Sequence, residues 1–242
     1  IGYEEGFNRY GKSDDKKINL GKLFHMGYVE ELDVNIDLNS LGMHTFVTGS
    51  TGSGKSNTIY KLLNEVNKQG VKFLVIEPAK GEYKEIFGGR EDVNVFGTNP
   101  KYSEMLKINP FKFTEEIHIL EHIDRLIEIF NACGPMYAVM PAVLKEAIEM
   151  AYERYGWNLE NSICVGGDKY PTFNDLLDTL DIVIKNSAYS EELKSNYTGA
   201  LCTRVKSLTN GILGRIFTSN EIDNEILFDE NTIVDLSRVG ST

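Results

Sequence analysis

The segment GSTGSGKS, residues 49–56, carries the clearest chemistry in the chain. It satisfies the pattern G-x-x-x-x-G-K-[S/T] at every fixed position. Gly49, Gly52 and Gly54 permit backbone conformations that turn successive N–H groups inward, toward phosphate oxygens. A helix starting at the end of such a loop adds the positive end of its dipole. Lys55 then reaches the β and γ phosphates of a nucleoside triphosphate, and the Ser56 hydroxyl ligates magnesium. The expected binding set is Gly49, Ser50, Thr51, Gly52, Ser53, Gly54, Lys55, Ser56 and Asn57, with ATP and Mg2+ as the bound species. The bland alternative is a Gly/Ser-rich turn that matches by chance, and the flanking elements argue against it.

Those elements are a short strand before the loop, at Phe46 and Val47, and a helix after it. Ile59, Leu62, Leu63 and Val66 repeat at helical spacing and give that helix one apolar stripe; Gly70 ends it. VKFLVIEP is a continuous apolar run closing on Pro78, as expected for a strand buried on both faces of a parallel sheet. Glu77 ends that strand at the carboxyl edge, where α/β sheets bind ligands. VNVFG, residues 93–97, reads as a third strand.

From about residue 115 the pattern becomes helical. Ile119, Ile123, Leu126, Ile127 and Phe130 share one face; Val143, Leu144, Ala147, Ile148 and Ala151 share another. Further helices are expected over about 172–185 and 190–209, before a strand at 232–236. The inferred order is sheet, helical insertion, sheet. The expected domains are a β hairpin or barrel remnant over 1–40, the first part of an ATPase core over 41–114, a helical insertion over 115–215, and a return to the sheet over 216–242. Within the first segment, LFHMGYV and DVNIDL read as two strands.

Composition excludes some classes. The chain has 242 residues, 41% hydrophobic and 25% charged, which is ordinary for a globular protein. No apolar run approaches the roughly 18–20 residues needed to span a bilayer. Three scattered cysteines, Cys133, Cys164 and Cys202, form no CxxC pair and suit a reducing cytoplasm. A net charge of −11 argues against gripping nucleic acid by overall charge, though not against contacts confined to a few pore loops. The start lacks Met and reads as a cut inside a longer protein.

GSTGSGKSNTIYKLL followed by FLVIEPAKGEY resembles the HerA/FtsK superfamily of ring-forming translocases, on the side that includes the conjugative secretion ATPases. INPF at 108–111, AYERYGW at 151–157, YPTFNDLL at 170–177 and TRVKSLTNGILGRIF at 203–217 extend the likeness over about residues 20–242. The resemblance implies an α/β fold: a RecA-like P-loop NTPase sheet flanked by helices, with a helical insertion. It also implies a homo-hexamer that hydrolyses ATP to move DNA. Lys55 and Glu77 are the expected catalytic residues, with Ser56 on the metal, and Arg204 or Arg215 is a candidate interface arginine. In the family a strand like TIVDLS comes first and the Walker B strand, with paired acids, comes later. Asp235 is followed by Leu236 and Ser237, so it is expected to cap a strand end rather than to hold magnesium. On this reading the chain stops before its Walker B strand, binds nucleotide and hydrolyses it poorly.

Three other readings compete with this one. A nucleotide-dependent assembly module of a defence or secretion complex, without motor activity, fits the acidic balance. A small-molecule kinase would need an arginine-rich lid, which is not evident. HILEH at 118–122 matches an inverted zinc-protease signature, yet it lies on an ordinary amphipathic helix with no evident third ligand. Core packing is expected for Tyr102, Phe111 and Tyr137, and Trp157 is expected to fill the helical insertion.

Overall fold

The structure is a computed structural model that describes residues 16–167 and 169–238. The chain divides into two units, residues 1–95 with 224–242, and residues 96–223.

The first unit begins with an antiparallel hairpin, β1 (Lys17–His25) and β2 (Tyr28–Asp37). Its turn is Met26–Gly27, with both residues at positive φ. The turn therefore falls inside LFHMGYV, which is not one strand but the meeting of two. Ile18 is fully buried and packs with Leu38 and with Leu62 and Val66 of helix α1 (Lys55–Lys68). Helix α1 ends as its Gly stop signal requires. The Gly70 N–H donates to the Asn67 carbonyl and the Val71 N–H to the Val66 carbonyl, which closes the last turn.

Strands β3 (Leu74–Glu77) and β8 (Asn231–Asp235) pair in parallel, Leu74 opposite Thr232 and Glu77 opposite Asp235. β4 (Val93–Gly97) lies on the other side of β8. Alternation divides the strands between two faces. Phe73, Val75, Val93, Val95 and Ile233 meet Tyr60 and Leu63 of α1 and Tyr83 and Phe87 of α2 (Glu82–Phe87). Tyr60 stands edge-on to Tyr83 and to Phe87. A short helix, Asn224–Phe228, leads into β8, and the Thr232 hydroxyl donates to its Ile226 carbonyl.

Two strand expectations are corrected. Among the described residues β3 is an edge strand of its sheet, and Ile76 is 61% exposed, so β3 is not buried on both faces. Residues 44–50 run on without a ladder partner among the described residues, and Phe46 is 88% exposed. β propensity alone makes no strand where no neighbour supplies hydrogen bonds.

The second unit is mainly helical, with one short antiparallel pair, β6 (Trp157–Asn158) and β7 (Ile163–Cys164). Beside the end of β4, Phe96 and Gly97 pair with Glu104 and Met105 of β5 (Glu104–Met105). Helices α3 (Ile119–Cys133), α4 (Met140–Arg154), α5 (Phe173–Asn186), α6 (Glu191–Tyr197) and α7 (Thr203–Thr209) surround one core. A π turn over Thr198–Cys202 joins the last two. The stripe Val143, Leu144, Ala147, Ile148 and Ala151 is buried throughout, as its helical spacing predicts. α5 starts on a capping box: the Thr172 N–H donates to Asp175 at 2.8 Å, and the Thr172 side chain receives the N3 backbone N–H. Trp157 is buried, with its indole N–H on the Lys169 carbonyl. Phe111 is fully buried, but Tyr102 and Tyr137 are 60% and 71% exposed, contrary to the core packing expected of them. No described helix is long and apolar enough to cross a membrane.

Candidate functional site

The loop of residues 49–54 leads directly into α1, whose N-cap is Gly54 at φ 90°. Gly52 also has positive φ, at 80°. These are backbone conformations that side chains with a Cβ avoid, and they bring the loop around the helix start. Gly49 is needed for a different reason: a Cβ there would lie 2.4 Å from the Ser53 Oγ. The loop is thus a cradle, and a methyl group on Gly49 would press on its Ser53 side.

Lys55 Nζ bends back over the loop and donates to the carbonyls of Gly49 and Ser50, each at 2.7 Å. An ammonium held at the mouth of the loop is where phosphate charge would be received. Ser56 follows it on the first turn of α1, half-buried. Ser50, Thr51, Ser53 and Asn57 are exposed around the rim. A cavity of about 400 Å3, bounded by Thr45, Val47, Lys55, Ser56, Ile59, Leu62 and Tyr83, opens beside the two functional side chains. The loop, the ammonium, the hydroxyl and the exposed rim together fit a magnesium-bound triphosphate. Ser56 would hold the cation, which supplies charge neutralisation on the phosphates when bound.

Glu77 stands at the end of β3 and is buried. Its Oε1 accepts the Glu82 N–H at 2.9 Å and its Oε2 accepts the Tyr83 N–H at 3.1 Å. Both oxygens are therefore spent on the first turn of α2. The acid that faces the loop is Glu82, to which the sequence alone assigns no role. Glu82 Oε2 lies 3.5 Å from the Ser56 hydroxyl and 3.3 Å from the Tyr60 hydroxyl. The signal that could have found it is its place at the first position of a helix following Gly81. Burial, and then the Glu82 charge, raise the Tyr60 pKa above its ordinary value. Burial, and then Glu77, do the same for Tyr83.

Asp235 ends the neighbouring strand and is also buried. Its Oδ2 lies 2.5 Å from Lys84 Nζ, and its Oδ1 accepts the Ser237 N–H at 3.0 Å. Burial pushes its carboxyl up, but Lys84 and Ser237 more than offset this and hold it below the ordinary value. Among the described residues Asp235 makes no hydrogen bond or ion pair with Lys55 or Ser56.

In the second unit, Arg204 Nη1 donates to the Gly134 carbonyl at 2.6 Å and so ties α7 to the end of α3. Arg215 is exposed, and its guanidinium has no partner among the described residues. His118 caps α3 through Nδ1 on the Leu120 N–H, and His122 stacks on Phe113 and meets the Pro110 carbonyl. Burial lowers the His122 pKa first of all. No three described His, Cys, Asp or Glu side chains form a metal cluster. A larger cleft of about 840 Å3 includes Lys112, Asp175 and Glu221 in its lining. There Lys112 pairs with Glu221, and Asp175 accepts from the hydroxyls of Thr172 and Tyr155.

A family model of the central domain of helicase HerA matches residues 18–242. The chain belongs to the HerA central-domain family. Among curated relatives, the DNA double-strand break repair helicase HerA of Sulfurisphaera tokodaii is 23% identical over 221 residues, 91% of this chain and 39% of that protein. The probable helicase MJ1565 of Methanocaldococcus jannaschii is 38% identical over 81 residues, 33% of this chain and 16% of that one. The HerA-family chain thus spans well under half of either relative. Its fold is that of VirB4 of Thermoanaerobacter pseudethanolicus, with a TM-score of 0.64 at 22% identity over 94% of this chain and 59% of that one. The HerA/FtsK resemblance and the P-loop α/β fold read from the residues both stand. The chain is a HerA-type P-loop domain.

Proposed function

We propose that residues 49–57 bind magnesium-ATP and that the full-length protein is a hexameric ring that hydrolyses ATP to move DNA. The observation that carries this reading is the cradle itself, with Lys55 folded over the Gly49 and Ser50 carbonyls at the start of α1. Phosphate oxygens would replace those carbonyls as partners of the ammonium. Lys55 would then stabilise charge on the γ phosphate as water attacks in line. Glu77 contributes by holding the turn into α2, and Ser56 by orienting the cation. A reducing cytoplasm suits the free thiols of Cys133, Cys164 and Cys202.

A second reading is favoured by the net charge of −11: a module that uses nucleotide to order an assembly in defence or secretion, without motor activity. The two separate on one set of measurements. Calorimetry of ATP binding to the 242-residue chain tests the site, with Lys55→Ala expected to abolish binding; unchanged binding in that variant refutes the assignment. For the full-length protein, turnover stimulated by DNA selects the motor. Nucleotide-dependent assembly with turnover indifferent to DNA selects the module.

A further inference from the structure

We propose that Glu82 is a carboxylate that this site turns toward magnesium, accepting hydrogen bonds from water on the cation held by Ser56; this rests on the reading of residues 49–57 as a magnesium-ATP site. Three acids gather near the carboxyl edge of β3 and β8, and the contacts divide them. Glu77 is closed by the N–H groups of Glu82 and Tyr83. Asp235 is closed by Lys84 and Ser237. Glu82 alone of the three has an oxygen beside the hydroxyl that follows Lys55, 3.5 Å from Ser56 Oγ.

That distance suits the role. Oxygens adjacent in a magnesium octahedron lie about 3 Å apart, and magnesium keeps several waters when it binds through few protein groups. A carboxylate one step beyond the Ser56 oxygen is placed to receive protons from such water. Its setting holds it there. The Tyr60 hydroxyl donates to the same oxygen at 3.3 Å, and Lys80 Nζ lies 3.3 Å from the other. Glu77 fixes the backbone of Glu82 itself. Tyr60 belongs to α1, so Glu82 links the helix that carries Ser56 to the end of β3. A plain helix-start role would ask only for negative charge near N–H groups and would not require an oxygen turned to Ser56.

The sign of the effect is distinctive. Without metal, the Glu82 charge lies against the triphosphate and weakens binding. With metal, it strengthens binding. Glu82→Gln removes the charge and keeps the shape. Isothermal calorimetry of ATP binding to the chain, in excess magnesium and in EDTA, gives the ratio of the two affinities. We expect this ratio to fall in Glu82→Gln by about tenfold or more, the range for outer-shell metal partners. The fall should combine weaker binding in magnesium with equal or tighter binding in EDTA. Manganese bound with ATP, read by electron paramagnetic resonance, should weaken in parallel. If Glu82→Gln fails to fold, judged by its melting curve, Tyr60→Phe carries the test and should lower the ratio in the same direction. A ratio equal to that of the parent chain in the folded variant overturns the role of Glu82 while leaving the nucleotide site intact. A parent chain that binds no ATP under either condition overturns the site reading and this inference with it.

Discussion

Glu77 and Asp235 are register partners at the ends of two adjacent parallel strands, and helix α2 satisfies both. Its first N–H groups close on Glu77 and its Lys84 closes on Asp235. Two buried carboxylates side by side would repel each other if left bare. The helix therefore acts as a clasp that neutralises the sheet edge beside the phosphate loop.

The Lys84–Asp235 half of the clasp predicts a pH-dependent stability. Breaking a buried pair from one side typically costs about 3–5 kcal/mol. Lys84 retains 17% exposure, so we expect Asp235→Asn to lose near the lower end of that range at neutral pH. The folded carboxyl titrates below its unfolded value, so its stabilisation is complete above about pH 4 and fades as the pH falls through the folded pKa. Urea titrations of the parent and the variant should thus converge in acid. ATP affinity should be unchanged in the variant at neutral pH, because the bonds of Asp235 go to Lys84 and Ser237 and not to Lys55 or Ser56. A variant that folds but loses nucleotide would give Asp235 a part in the site.

The Glu77 half predicts a local effect. In Glu77→Ala two backbone N–H groups lose a charged acceptor, at about 1–3 kcal/mol each for a buried group. Hydrogen exchange at Glu82 and Tyr83 should accelerate well before exchange in the β8 strand does. Because Glu82 is then loosely held, the magnesium dependence of ATP affinity should weaken as well. Unaltered exchange at both amides would dissociate Glu77 from the turn.

Gly81 makes the clasp possible. Its φ of 71° is left-handed, and a Cβ there would lie 2.9 Å from Ser237 Oγ and 3.3 Å from Lys84 Nζ. Gly81→Ala should therefore destabilise by about 1–2 kcal/mol from strain, with a further loss from the displaced ion pair. Thermal melting of Gly81→Ala, Asp235→Asn and the double variant tests the coupling. The double variant should lose less than the sum of the two.

The phosphate loop was legible because its residue types are dictated locally. A Cβ at Gly49 would press on the Ser53 side chain, and Lys55 and Ser56 follow at fixed steps along one helix start. The helical stripe of Val143, Leu144, Ala147, Ile148 and Ala151 was legible for a similar reason, since periodicity reports a buried face. What escaped depends on neighbours. An apolar run such as VKFLVIEP cannot reveal whether one face stays open, and Ile76 is exposed at the outer strand. Phe46 and Val47 have strand residues but no ladder partner among the described residues. Tyr102 and Tyr137 look like core residues by type alone, yet loops carry them outward. Glu82 was hidden because its partner, Tyr60, is 22 residues away, and only the packing of α2 on α1 brings them together.

The two arginines give the last prediction. Arg204 is spent inside its own unit, with Nη1 on the Gly134 carbonyl and Nη2 at 3.4 Å from the Pro135 carbonyl. Removing it leaves the end of α3 without a charged donor. Arg204→Ala should cost about 1–2 kcal/mol, the scale of a hydrogen bond from a charged group. Arg215 has no such bond and stands exposed, so Arg215→Ala should change stability by no more than about 0.5 kcal/mol. An arginine that acts across a ring interface would behave differently in the assembled protein. There, Arg215→Ala should lower ATP turnover at least a hundredfold while leaving ATP binding by isolated subunits intact, since an interface arginine acts on the transition state. Mixing wild-type subunits with Arg215→Ala, Lys55→Ala double-defective subunits checks this directly. If Arg215 works in trans, activity should fall faster than the fraction of defective subunits. A linear fall would place its action elsewhere.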